Sequence, residues 1–348
     1  MASAERPHGA KTTWRRLARS SRARELSLLV AIVVVVGSLW AVSNHRSDGD
    51  GAAAPGSSVA SGVPVPVVTP SPTGQARRQS PARVVTPVKE LKRLLADCQG
   101  LTVPTDLVVV TYNIKSAHYG GGSRLAGIIA ELTAMTPDIV FLQEVRGHGQ
   151  LRAISTALGL AEIYGVNMSL GRGAAANAYG TAILSRFPVE DPVNFKLPNQ
   201  KGLEQRGLLR ASVLVHGTPM TVYGTHLQHT SPQVRDAQMR AILELVRDDP
   251  AAKILGGDLN DSPGSRVLSS AFTELQDTWS AVGEGPGDTV PAERPRNRID
   301  YLLFDQADDE ATSLTPLTAQ VMGVGSSDHR AIRATYRLTR EIEPACGS

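Results

Sequence analysis

Cysteine is scarce in this 348-residue chain, which has only Cys98 and Cys346. A multiply cross-linked scaffold and a Cys/His zinc site are therefore excluded. No phosphate-binding Gly-x-x-x-x-Gly-Lys loop and no Gly-x-Ser-x-Gly elbow occur, which removes P-loop and serine-hydrolase chemistry. Aromatic residues amount to 4%, and no exposed apolar hairpin of a membrane-entering kind is evident. Internal repeats are absent. Net positive charge is also missing from most of the chain, although the total is +3. Residues 1–25 hold seven basic and two acidic residues, and residues 26–100 hold seven and four, so residues 101–348 are left at −5. A nucleic-acid binder relying on a broad basic field would look different, unless bound divalent cations offset its acids.

What is present begins with a segmented N-terminus. Residues 1–25 read as a basic cytoplasmic tail. Residues 26–42, Leu26 to Val42, are almost wholly apolar and read as a transmembrane signal anchor. Ala41-Val42-Ser43 also resembles a small-residue cleavage site, and cutting after Ser43 would release a secreted protein. Residues 43–97 are rich in Pro, Ser and Gly and read as a spacer. Residues 98–346 are expected to form one catalytic domain outside the cytoplasm. Cys98 and Cys346 bracket it, either as unrelated thiols or as a disulfide tying its ends together. An exported domain favours the disulfide.

Within that domain, period and turn signals place strands at Leu107–Tyr112, Asp138–Glu144, Tyr179–Leu184, Leu208–Val215, Met220–Thr225, Ile254–Gly257, Ile299–Phe304 and Ala331–Leu338. Ser123 reads as the cap of one helix, and Ser231-Pro232 opens another that runs to about Asp248. Neighbouring strands without intervening helices argue against a barrel of alternating units. The expected fold class is α/β (α+β), two packed mixed sheets with helices outside.

Several strands carry polar groups at one end. Tyr112-Asn113, Gln143-Glu144, Thr225-His226 and Gly257-Asp258-Leu259-Asn260 finish four of them. Asp300 begins another, and Asp328-His329 precedes the last. Singly, each is an ordinary turn residue as readily as a site. Together they supply carboxylates, amides and imidazoles and nothing else. That set suits phosphoester hydrolysis, in which oxygen ligands hold a hard metal and a base activates water. In Gly256–Asp261 the glycines let the backbone approach something closely, and an acid and an amide stand at the mouth of the turn.

The order Thr-Tyr-Asn-Ile, Leu-Gln-Glu-Val, Ser-Arg-Phe-Pro, Thr-His-Leu, Gly-Gly-Asp-Leu-Asn-Asp, Arg-Ile-Asp-Tyr and Ser-Asp-His-Arg resembles the endonuclease/exonuclease/phosphatase family over about residues 105–338. The resemblance implies a four-layered α/β sandwich and a metal-dependent phosphoesterase. It implies Asn113, Glu144 and Asp328 on the metal side, with Glu144 the principal ligand of Mg²⁺ or, as a substitute, Mn²⁺. It implies Asp258 as the residue that orients or deprotonates water, and Asn260 as a holder of a phosphate oxygen or the nucleophile. Asp300 and His329 match a carboxylate–imidazole pair, and His226 a phosphate contact or general acid. Arg186 and Arg206 are candidate substrate contacts, or structural anchors of their loops.

Nucleic acid, a phospholipid head group and a small phosphoester all fit as substrate partners, and the protein is expected to be a monomer. Gly171-Arg172-Gly173 and Arg294-Pro295-Arg296-Asn297-Arg298 read equally as groove contacts and as solvated loops. The competing reading is an exported, catalytically inactive sandwich used as a binding module.

Overall fold

The computed structural model describes residues 101–115, 122–170, 178–323 and 325–342. The basic tail, the 26–42 span, the 43–97 spacer, both cysteines and the loop around Arg172 lie outside the described residues. Among the described residues no helix is long and apolar enough to cross a membrane.

Twelve strands and five helices follow in the order β1 (Leu101–Asn113), α1 (Gly122–Met135), β2 (Ile139–Arg146), α2 (Gly147–Leu158), β3 (Ala161–Ser169), β4 (Ala178–Ser185), β5 (Val189–Lys196), β6 (Gly207–Val215), β7 (Thr218–His226), α3 (Pro232–Arg247), β8 (Lys253–Asp258), α4 (Arg266–Ala271), β9 (Gln276–Asp277), α5 (Thr278–Val282), β10 (Asp300–Asp305), β11 (Thr312–Met322) and β12 (Ala331–Ile342). They build two six-stranded sheets, ordered β11-β12-β1-β2-β4-β3 and β5-β6-β7-β8-β10-β9. Both are mixed: β1–β2 and β7–β8 pair in parallel and the other neighbours antiparallel.

Central strands are apolar on both faces because both faces are covered. Val109, Phe141, Ile183, Val222, Ile254 and Leu302 fill the space between the sheets. Their sequence neighbours Val110, Val140 and Leu142 face helices α1 and α2 through Ile128, Leu132, Leu151 and Ile154. Leu255 and Leu303 face α3 and α4 through Met239, Ile242 and Leu268. The expected four layers are present.

All eight sequence-derived strands fall on observed ones. Helix α3 begins as expected, with Pro232 in its first turn and the Ser231 hydroxyl accepting from the Val234 amide. Helix α1 starts at Gly122, so Ser123 lies within it and is not its cap. Strands β3, β5, β9 and β11 and helix α2 were not foreseen. The first and last strands do lie side by side, antiparallel, with Leu101 opposite Ile342.

Candidate active site

Register sets three of the candidate side chains in one row. His226 on β7 pairs with Asp258 on β8, and Asp258 pairs with Asp300 on β10. Directly paired residues project to the same face of a sheet, so an imidazole and two carboxylates emerge together. Across the sandwich, Asn113 closes β1 opposite Gln143 on β2. One extra residue is inserted into β2 between Leu142 and Val145 relative to β4. Glu144 sits in that bulge at φ 59°, a left-handed conformation rare for glutamate. Bulges re-aim side chains, and this one turns Glu144 towards Asn113.

The glycines of the Gly256–Asp261 turn have a packing reason. A Cβ on Gly256 would meet the Phe141 ring at 2.2 Å, and one on Gly257 would meet the Thr225 carbonyl oxygen at 2.2 Å. The close partners are thus the facing sheet and the neighbouring strand. Asn260 adopts φ 52°, which asparagine tolerates. Its backbone amide donates to Asp258 Oδ1 at 2.9 Å, and its side-chain amide donates to the Leu227 carbonyl at 3.0 Å. Asn260 therefore locks the turn and fixes the Asp258 rotamer. Arg235 on α3 bonds the Gln228 carbonyl at 2.6 Å and Asp261 at 2.9 Å, clamping the two loops together.

Asp258 is the hub. Its Oδ2 receives a hydrogen bond from Asn113 Nδ2 at 2.9 Å and stands 3.4 Å from His226 Nε2 and 3.8 Å from His329 Nε2. The side chain is almost fully buried. Burial and the neighbouring Asp300 carboxylate raise its pKa to about 7.

The two histidines are set apart by their partners. Arg206 donates to His226 Nδ1 at 3.0 Å. A guanidinium has no acceptor, so Nδ1 is unprotonated and Nε2 carries the hydrogen. Burial first, then the charge of Arg206, pushes the His226 pKa well down. Its approach to Asp258 is that of a neutral donor to a carboxylate, not an ion pair. His329 is opposite in character. Burial disfavours its charge, but Asp300, which accepts from Nδ1 at 2.9 Å, outweighs that and pushes the pKa up to about 10. Thr289 donates to the same Asp300 oxygen at 2.6 Å, while the buried Asp300 Oδ1 has no hydrogen-bond partner. Thr289 was invisible in the sequence because no motif contains it.

The remaining candidates are placed less directly. Arg206 is buried, bonded to His226 and to Glu204 at 2.9 Å, so it positions a histidine from behind. Arg186 is not at the site. It binds Asp138 at 2.7 Å and the Pro137 carbonyl at 3.1 Å. That is the opposite end of the first sheet, since Ser185 pairs with Ile139 at the start of β2. Its role as a substrate contact is corrected to that of a loop anchor. Asp328 lies at the outer edge, in an ion pair with Lys115 at 2.6 Å. Lys115 carried no signal beyond following Tyr112-Asn113 by two positions.

For a metal the donor set is oxygen-rich. Asn113 Nδ2 bridges Asp258 and Glu144, the latter at 3.2 Å, and its Oδ1 accepts from the Lys115 amide at 3.0 Å. In this orientation Asn113 aligns two carboxylates and does not present its oxygen to a shared ion. Asp258, Asp300 and His329 also offer donor atoms within 4.8 Å of one another. That grouping includes an imidazole nitrogen, whereas Glu144 and Asp258 offer carboxylate oxygens alone, the donors a hard divalent ion prefers. The Glu144–Asp258 side therefore fits a hard divalent ion better. Three carboxylates, Glu144, Asp258 and Asp300, stand against the one imidazolium, and a divalent cation would balance the excess.

A two-sheet sandwich with carboxylates and imidazoles gathered across one end is the architecture of a phosphoester hydrolase. A model described as the endonuclease/exonuclease/phosphatase family matches residues 110–329, and the chain belongs to that family. No curated protein sequence matches. Among solved structures, D. rerio TDP2 complexed with a single-strand DNA product is 20% identical, covering 67% of this chain and 99% of that one, with TM-score 0.55. A Bacteroides thetaiotaomicron mannosyl-6-phosphatase is 19% identical, covering 66% and 99%, with TM-score 0.54. An endonuclease/exonuclease/phosphatase family protein from the same species is 19% identical, covering 68% and 96%, with TM-score 0.56. At these identities the likeness speaks for the fold.

Proposed function

We propose that the chain is a divalent-metal-dependent phosphodiesterase held outside the cytoplasm by its N-terminal span. One observation carries the chemical part: a single oxygen, Asp258 Oδ2, stands beside a neutral Nε2–H donor and an imidazolium locked by a second carboxylate. With a pKa near neutrality, Asp258 takes a proton from water as that water attacks phosphorus and the P–O bond to the leaving group breaks, its electron pair staying on the leaving oxygen, which takes a proton from solvent. His226, kept neutral by Arg206, donates from Nε2 to a non-bridging oxygen. His329, kept charged by Asp300, opposes the negative charge that builds on the phosphoryl oxygens. Mg²⁺, or Mn²⁺, held on the Glu144 side with Asp258 nearby, would supply further charge against those oxygens. Asn113 keeps both carboxylates turned to one space.

The substrate is a phosphoester in this reading. Among the described residues the exposed large apolar side chains are Val166, Val193 and Leu317, on three separate edge strands. Scattered exposure of this kind gives no surface for entering a bilayer. The similar structures include one holding a DNA product and one named as a sugar-phosphate phosphatase, so both kinds of phosphoester belong in the substrate panel.

The test is hydrolysis of bis-p-nitrophenyl phosphate by the full chain. Turnover is expected with Mg²⁺ or Mn²⁺, with a fall to background in EDTA and recovery when metal is restored. Turnover indifferent to EDTA would sink the metal part. No turnover by a folded chain would leave the inactive binding-module reading. Export has its own readout. Leu101 opposite Ile342 brings the chain ends on either side of the domain together, and Cys98 and Cys346 lie three and four residues further out. Peptide mapping without reductant is expected to find them linked in protein from its own membrane. Two free thiols there would argue against an oxidising compartment.

A further inference from the structure

Beside the catalytic cluster lies a cleft of about 490 Å³ whose wall includes Lys115, Arg124, Arg294 and Arg296 against Glu293 and Asp328. Four positive and two negative groups make it net positive in a region, 101–348, whose formal charge is −5. The cleft's lining residues border the site in the chain and by hydrogen bonds. Asp328 precedes His329, the Lys115 amide holds Asn113 Oδ1, and the Ser327 hydroxyl donates to the Asn113 carbonyl at 2.7 Å.

We propose that this cleft binds a second phosphate of the same substrate, so that the enzyme acts on molecules bearing at least two phosphate groups. The inference rests on the phosphodiesterase reading and extends it to substrate class. The loop carrying the two exposed arginines is built rather than loose. The Thr289 amide bonds the Asn297 carbonyl at 2.8 Å, and the Arg296 amide bonds the Val290 carbonyl at 2.9 Å. The Ala292 amide bonds the Asp328 carbonyl at 2.7 Å, and Arg330 Nε bonds the Ala292 carbonyl at 2.7 Å. Through Thr289 the same loop reaches Asp300. The backbone that carries Arg294 and Arg296 is thus fixed relative to Asp300 and Asp328, and their exposed guanidinium groups can fork onto phosphate oxygens. Among the described residues no aromatic side chain lines the cleft, and what they offer is charge. Guanidinium and ammonium groups of this kind contact phosphates. A volume of this order takes a phosphate with its attached sugar or ring.

Two sources share this chemistry, the backbone of a single-stranded nucleic acid and a small polyphosphorylated molecule such as an inositol polyphosphate. The experiment compares the full chain in detergent micelles with Arg294→Ala/Arg296→Ala. The substrates are bis-p-nitrophenyl phosphate, a single-stranded oligonucleotide and an inositol polyphosphate. On the single-phosphate substrate the double variant is expected to match wild type. On whichever multi-phosphate substrate is the true class, KM is expected to rise about tenfold or more with kcat retained. For the oligonucleotide, the dependence of log KM on log salt should weaken by about one unit per arginine. The arm that responds identifies the source. Equal loss on all substrates, or no loss on any, overturns the proposal. If wild type hydrolyses nothing, the phosphodiesterase reading has failed and the cleft is judged by calorimetry with inorganic tripolyphosphate. Binding that the double variant loses supports the cleft, and absence of binding by wild type overturns it.

Discussion

Asp258→Asn is expected to lower kcat on bis-p-nitrophenyl phosphate by roughly a hundredfold to ten-thousandfold, the usual worth of a positioned base. The substitution keeps the shape of the side chain, removes its charge and its ability to accept a proton, and sets an NH₂ against one of the two donors, Asn113 Nδ2 or the Asn260 amide, that Asp258 now accepts from. The loss should fall on kcat more than on KM, because Asp258 acts on water and not on the substrate's bound parts. A second readout separates this role from a structural one. The Asp258 pKa is raised by burial and by Asp300, so its folded value lies above its unfolded value. An acid shifted in that direction opposes folding at pH values above its unfolded pKa. A neutral amide does not carry that penalty, so the thermal midpoint of the variant relative to wild type, measured in EDTA, should improve from about pH 5 to about pH 8. A residue retained for stability would show the reverse. A variant that keeps more than about a tenth of the wild-type kcat would remove Asp258 from the base position.

What the sequence disclosed, and what it hid, follows from burial. The eight strands legible in advance are mostly those covered on both faces. Val108-Val109-Val110 and Ile139-Val140-Phe141-Leu142 are unbroken apolar runs because β1 and β2 are sandwiched between a helix layer and the other sheet. The four strands that were missed, β3, β5, β9 and β11, are the four sheet edges. An edge strand keeps much of its length in solvent, and Glu190-Asp191-Pro192-Val193 in β5 is exposed throughout. Such a stretch has neither an apolar run nor clean alternation, and proline and acids are what an edge carries to discourage further pairing. Helix α2 opens on Gly147-His148-Gly149, which reads as a turn. The site was more legible than the edges, since its members sit at the ends of the central strands, where a polar residue after an apolar run stands out. Arg186 had the same surroundings in sequence, yet it follows β4, which runs antiparallel to β2 and ends at the far side of the sheet. Strand direction decided its place, and one sequence does not print strand direction. Thr289, and the role of Arg206 though not its candidacy, were hidden for another reason. Each acts on a histidine, Arg206 directly at His226 and Thr289 through Asp300 at His329, and neither sits in the motif that contains that histidine.

Asp300→Asn tests that indirect layer and should be nearly as costly as losing the base. Asp300 is fully buried and holds His329 Nδ1 at 2.9 Å. The groups that favour the imidazolium are Asp300, Asp258 and Asp328, against the burial that disfavours it. The sign is then fixed. The charged ring exists below a pKa of about 10 and is lost above it, so wild-type kcat should rise as Asp258 ionises near pH 7, hold above that, and fall only on the far alkaline side. An asparagine at position 300 removes the largest favourable contribution and leaves burial in place. The His329 pKa must fall, and the alkaline limb of the pH–rate profile should move towards neutrality. At neutral pH the variant is expected to lose about a hundredfold or more in kcat. His329→Ala should lose a similar amount without any alkaline limb to move. The double variant Asp300→Asn/His329→Ala should be no worse than His329→Ala alone, because a carboxylate that works by holding an imidazole has nothing to do once the ring is gone. Additive losses in the double variant would mean that Asp300 acts on substrate or metal directly, and the three-donor grouping of Asp258, Asp300 and His329 would then be the metal site in place of the Glu144 side.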